Sequence, residues 1–160
     1  DYILMSEKKT GSLFELCFEI PALISDDYIQ FKSELKTFGR NLGVIFQIQD
    51  DILEMSTSSE NMGKGIDSDI QRGKKTILSS IALDSDKSEW NNVQEKIENT
   101  SLEEKKIILR NYYRDADIIK KADKLLLNFE NKCKNIIKSL PNTIHNDMTI
   151  LLNMILKRKK

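Results

Sequence analysis

The chain has 160 residues, with 25 basic and 25 acidic side chains, and its formal net charge is zero. That balance excludes nucleic-acid binding through bulk cationic excess, and no apolar run approaches the roughly 18 residues that a bilayer span needs. An apolar fraction of 39% with evenly signed charge excludes a disordered chain and is enough for a core.

Apolar residues recur at helical spacing almost throughout. Leu13, Phe14, Leu16, Cys17 and Ile20 make a first helical face, and Pro21 ends or kinks that helix. Asp26 and Asp27 cap a second helix that starts near Tyr28 and runs to about Met55. Residues 56–69, rich in glycine and serine, read as a loop. A short apolar helix follows over residues 76–83, and residues 84–88 read as another loop. Ser101-Leu102-Glu103-Glu104 is a capping-box pattern that opens a helix. Residues 115–140 carry a stripe of Ile119, Ala122, Leu126, Phe129, Cys133 and Ile136 or Ile137, closed by Pro141. The last helix presents Ile144, Met148, Leu151, Leu152 and Ile155 and ends in Lys157-Arg158-Lys159-Lys160. No segment has a convincing strand period. The reading is all-α with one core.

Cys17 and Cys133 lack metal-ligand spacing and read as two buried free thiols. His145, the only histidine, has no partner that would make a zinc site. Chemistry concentrates in the second helix. At about 100° per residue, Gln47, Asp50, Asp51 and Glu54 fall in one wedge, while Phe38, Leu42, Ile45, Ile52 and Leu53 lie opposite. Three like charges on one helix face repel, so a cation is the natural complement. Carboxylates suit Mg2+, which takes one or two of them together with phosphate oxygens. Gly39 and Gly43, each costing about 1 kcal/mol in helix propensity, read as room for a bulky ligand beside that wedge. An acidic patch on a plain surface helix remains the simpler alternative.

Downstream, Gly63-Lys64-Gly65 and Gly73-Lys74 set basic points between glycines, as a polyphosphate bridged by Mg2+ would require. The spacing is not that of a P-loop. It is not an EF-hand either, since Arg72 and Leu78 stand where that loop needs glycine and glutamate.

Together these residues resemble the second half of a trans-prenyltransferase of the farnesyl and geranylgeranyl diphosphate synthase (polyprenyl synthetase) family. Gly43-Val44-Ile45-Phe46-Gln47-Ile48-Gln49-Asp50-Asp51-Ile52-Leu53-Glu54 is similar to the family's second aspartate-rich motif. Lys9-Thr10-Gly11-Ser12-Leu13-Phe14 resembles its Lys-Thr-x-x-Leu-Phe segment, and the basic ending is similar to a tail that closes over the active site in farnesyl-type members.

The resemblance implies an isoprenoid synthase-type helical bundle. Residues 1–160 would be the C-terminal half of one domain whose N-terminal half is absent, which the opening Asp1 also suggests. It implies that Asp50, Asp51 and Glu54 hold Mg2+, and that Lys9, Lys64 and Lys74 contact a diphosphate. Thr10 and Gln47 would face the developing allylic cation. The partners implied are isopentenyl diphosphate and an allylic diphosphate, with a homodimer in the cytoplasm, a mitochondrial or plastid location staying open. Glu54 departs from the family's aspartate and the first aspartate-rich motif is missing. This half alone is therefore expected to be inactive, and a noncatalytic regulatory subunit or degenerate homologue stands as the alternative.

Overall fold

The computed structural model describes residues 1–56 and 74–158. Every regular element among them is helical. In chain order these are α1 (Tyr2–Ser6), a π-helical turn (Glu7–Gly11), α2 (Ser12–Leu23), a 3-10 turn (Ile29–Phe31) and α3 (Lys32–Ser56). Then come α4 (Ile77–Ser85), α5 (Lys87–Glu98), α6 (Leu102–Asp115), α7 (Ile118–Ser139) and α8 (Asn142–Leu156). Among the described residues no helix is long and apolar enough to cross a membrane. The chain divides into two compact units. The first is built from Ile3–Gln49 and the C-terminal stretch beginning at Leu125, and the second from Asp50–Lys124 with Tyr2. Helix α3 runs through both.

In the first unit, α1, the π turn and α2 form one continuous helical rod. It packs on α3, whose Phe38, Leu42, Val44, Ile45 and Ile48 are fully buried. The two backbones approach until side chains no longer fit between them. A Cβ on Gly43 would lie 2.6 Å from the Cα of Gly11, and one on Gly39 would lie 2.5 Å from the carbonyl oxygen of Phe14. The ligand-room reading of Gly39 and Gly43 is therefore corrected: the space they leave is filled by the first helix. Around this crossing, Phe18 meets Phe38 edge-on at 5.1 Å between ring centres, and Phe14 meets Phe46 at 5.7 Å.

The same crossing corrects the face assigned to the first helix. Phe14 and Phe18 turn toward α3, whereas Leu13, Leu16 and Ile20 are each at least half exposed. Cys17 lies with them and is exposed, so only Cys133 is a buried thiol. Burial pushes the Cys133 thiol up to about 12. Pro21 does not stop the helix at once. It sits in the last turn, and the rod ends at Leu23.

Helix α7 buries Ala122, Phe129, Cys133 and Ile137, and α8 buries Met148 and Leu152, as the stripes predict. The N–H of Nε2 on His145 donates to the Leu140 carbonyl at 2.7 Å, so this histidine caps the end of α7.

The second unit is a series of short capped helices. Thr76 and Ser79 form a capping box that opens α4. The expected loop over residues 84–88 is reduced to one residue. Asp86 ends α4 and accepts the Glu89 N–H at 2.9 Å to start α5. Helix α5 was absent from the sequence reading, although Trp90, Val93 and Ile97 repeat at helical spacing behind that cap. The capping box at Ser101 and Glu104 forms as read, and the Ser101 N–H and hydroxyl, both donating to Oε2, hold the Glu104 carboxyl below the usual carboxylate range. Trp90, Tyr112 and Tyr113 stack into an aromatic cluster with ring centres about 6 Å apart.

Candidate active site

In the first unit the candidate residues sit at the π turn. An α-helix with one extra residue per turn pushes its side chains out of register, and such turns recur at functional sites. Here the turn holds Lys9, Thr10 and Gly11. The Thr10 hydroxyl donates to Oε1 of Gln47 on α3 at 3.0 Å. Gln47 is buried and Thr10 half-buried, so the pair forms a polar point in an apolar helix crossing. Close approach makes the bond possible, because Gly11 and Gly43 bring the two helices together one residue and one turn away. Lys9 is exposed and lines an open depression of about 520 Å³ with Asp1, Leu4, Met5 and Lys8.

The C-terminus also returns to this part of α3. The Gln49 side-chain amide donates to the Leu156 carbonyl at 2.7 Å, capping the end of α8. Two residues later, the Arg158 guanidinium lies 4.1 Å from the centre of the Phe46 ring, within cation–π range. The tail is therefore held against the residue that precedes Gln47. Lys159 and Lys160 lie outside the described residues.

In the second unit α3 continues into Asp50, Asp51 and Glu54. The three are not equivalent. Asp50 and Glu54 are half-buried, whereas Asp51 is 3% exposed. Oδ2 of Asp51 accepts the Tyr2 hydroxyl at 2.5 Å and the Ile77 backbone N–H at 2.7 Å. Ile77 is the first residue of α4, so this N–H has no carbonyl within its own helix. Burial raises the pKa of Tyr113, with the nearby Tyr112 and Asp51 charges adding to it. At the end of α3, Nε of Arg110 donates to the Met55 carbonyl at 2.7 Å.

Lys74 is exposed, three residues before Ile77. Lys64 lies outside the described residues. Among the described residues no three His, Cys, Asp or Glu side chains converge as an all-protein cation cage would require. Mg2+ does not need one, because it takes one or two carboxylates and completes its shell with water and phosphate.

The sequence reading missed two residues, Tyr2 and Gln49. The signal for Tyr2 was weak, since its partner lies 49 residues away. Gln49 could have been noticed as a second glutamine on a helix that is buried nearly all round.

The chain is 38% identical over 124 residues to a geranylgeranyl diphosphate synthase of Sulfolobus acidocaldarius, a match covering 76% of this chain and 36% of the relative. It is 40% identical over 83 residues to a short chain isoprenyl diphosphate synthase of Methanocaldococcus jannaschii, covering 52% of this chain and 25% of that relative. Its fold matches the crystal structure of a geranylgeranyl pyrophosphate synthase from Lactobacillus brevis with a TM-score of 0.82 at 20% identity, over 98% of this chain and 50% of that one. The chain thus spans about half the length of the solved structure and less of the curated relatives. The sequence model described as Polyprenyl synthetase matches residues 1–114, which include the π turn, the Thr10–Gln47 pair and the carboxylates of α3, and the chain belongs to the polyprenyl synthetase family.

Proposed function

We propose that this chain is the C-terminal half of a prenyl diphosphate synthase that joins isopentenyl diphosphate to an allylic diphosphate, forming farnesyl or geranylgeranyl diphosphate. Family membership supports the reading, and the Thr10–Gln47 hydrogen bond carries it. A hydroxyl whose proton is committed to Gln47 presents its lone pairs elsewhere. Those lone pairs, fixed in a low-dielectric crossing, stabilise positive charge on an allyl group as its diphosphate leaves. The double bond of isopentenyl diphosphate attacks the allylic carbon, a carbon–carbon bond forms, and a proton is lost from the adduct.

Lys9, Lys64 and Lys74 bind the departing diphosphate as point charges. Asp50, Asp51 and Glu54 are the carboxylates from which Mg2+ would draw its one or two protein ligands. Bound there, Mg2+ would neutralise charge on the diphosphate. The anchored tail, with Arg158 on Phe46, supports a covering role for the C-terminus beside Gln47.

The exposed stripe of Leu13, Leu16, Ile20 and Leu23 supports the half-domain reading, because patches of this kind usually meet another surface. Homodimerisation and a cytoplasmic location belong to the same proposal. The test is prenyl transfer by the full-length protein with isopentenyl and geranyl diphosphates. Asp50→Ala should lower turnover by about 100-fold or more, in line with losses of a charge-stabilising group, and undiminished product formation would overturn the reading.

A further inference from the structure

We infer that Asp51 is a positioning residue that fixes Lys74 through the N-terminus of α4. The inference rests on the proposed function.

Three observations in the second unit carry it. First, Asp51 is among the most buried polar residues described, at 3% exposure, whereas Asp50 beside it is half-buried. Second, one carboxylate oxygen of Asp51 serves two donors. The Tyr2 hydroxyl reaches it at 2.5 Å and the Ile77 N–H at 2.7 Å, and both residues are themselves buried. An oxygen that accepts two short hydrogen bonds ties the carboxylate to both neighbours. Third, the caps of α4 are complementary. Thr76 accepts the Ser79 N–H at 3.2 Å and the Thr76 carbonyl takes the Ser80 N–H at 3.0 Å. Ile77 would otherwise leave its amide without an acceptor in the interior. Asp51 supplies that acceptor and places a negative charge at the positive end of the helix.

The consequence follows along the chain. Thr76, Lys75 and Lys74 immediately precede the fixed amide, and Lys74 is separated from Ile77 by only three residue steps. With α4 tied to α3, the Lys74 backbone is anchored within about 10 Å of a rigid point. Without the Asp51 acceptor the first turn of α4 frays, and the lysine loses its fixed origin. The Tyr2 hydroxyl braces the same oxygen from α1, so removing it should weaken the arrangement less than removing the carboxylate.

The test separates geometry from charge. Asn at position 51 keeps one oxygen that can accept both donors and loses the negative charge, while Ala loses both. In the full-length protein, hydrogen exchange of the Ile77 amide is measured without metal, and prenyl transfer and diphosphate binding are measured with Mg2+. Asp51→Ala should speed exchange at Ile77 by about tenfold, the size of a lost helix cap. It should lower turnover by roughly 10–100-fold and weaken diphosphate binding. Asp51→Asn should restore Ile77 protection and most of the turnover. Asp50→Asn should leave Ile77 exchange at the wild-type rate.

Two results would overturn the inference. One is wild-type protection of Ile77 in Asp51→Ala. The other is an Asp51→Asn protein that keeps that protection yet loses as much turnover as Asp51→Ala. If the wild-type protein transfers no prenyl group, the proposed function fails, and the Ile77 exchange still decides whether Asp51 holds α4.

Discussion

The two ends of α3 are held by opposite means. In the first unit the helix meets its neighbour through absent side chains. Gly39 and Gly43 let backbone touch backbone, and any added atom falls within 3 Å of a carbonyl or a Cα. In the second unit the same helix is held by side chains that reach out. Asp51 takes the Ile77 amide, and Arg110 takes the Met55 carbonyl. Close-packed backbone has no slack, because interiors are already near crystal density. A polar tie can be replaced by another group that offers the same atom. One end of the helix should therefore be intolerant of the smallest change, and the other should respond in grades.

Gly43→Ala is the largest expected effect and the most direct way to break this comparison. Overpacking typically costs 1–3 kcal/mol, and here the obstacle is the Gly11 backbone and not a side chain that can turn away. The roughly 1 kcal/mol that alanine gains in helix propensity does not offset it. Urea unfolding of the full-length protein should show a loss of about 2–3 kcal/mol. Wild-type stability in this variant would mean that the crossing has slack after all.

At the other end, Arg110→Ala should cost about 1–2 kcal/mol, since a charged donor to a terminal carbonyl is worth more than a neutral one. Arg110→Lys should recover part of that, which no substitution at Gly43 can do. Equal losses in both Arg110 variants would place this end in the intolerant class as well.

Thr10→Val comes next. Valine keeps the shape and removes the donor to Gln47, and a single neutral hydrogen bond contributes about 1 kcal/mol. Stability should fall by that amount, and on the proposed reading turnover should fall by more. A turnover loss no larger than the stability change explains would remove Thr10 from the chemistry. A double-mutant cycle with Gln47→Leu isolates the pair.

What the sequence disclosed depended on range. Helices with long apolar stripes were legible, and so were caps such as Ser101 with Glu104, whose partners lie three residues apart. The burial of Phe38, Leu42 and Ile45 followed from spacing alone. The errors arose where a neighbour distant in sequence decides the outcome. Gly39 and Gly43 were seen to be open, but what fills the opening is Phe14 and Gly11, 25 and 32 residues earlier. Of the face read as Leu13, Phe14, Leu16, Cys17 and Ile20, only Phe14 turns toward α3, where Phe18 joins it; the other four are exposed. Asp50 and Asp51 are adjacent and chemically identical in sequence. Only the approach of Tyr2 and Ile77 separates them.

The smallest effect sharpens the comparison from within the first unit, where α2 and α3 also share charged side-chain ties. Glu15 on α2 meets Arg40 of α3, with Nη2 to Oε2 at 2.6 Å, and Lys36 at 3.1 Å. Burial alone would raise the Glu15 pKa, but the hydrogen bonds from Arg40 and Lys36 outweigh it and hold the carboxyl below its ordinary 4.5. A depressed carboxylate pKa favours the folded state when ionised. Its contribution is fully present above the unfolded value and is lost as pH falls through the folded one. Stability should therefore drop as pH is lowered from about 5 toward 3. Arg40→Gln should flatten that slope and lower stability near neutral pH by only about 0.5–1 kcal/mol, because Arg40 is largely solvated. Raising the salt should shrink the difference further. A pH slope in Arg40→Gln as steep as in the wild type would assign the acid sensitivity to other carboxylates. The α2–α3 crossing would then owe little to Glu15 and depend chiefly on its glycines and its aromatic contacts.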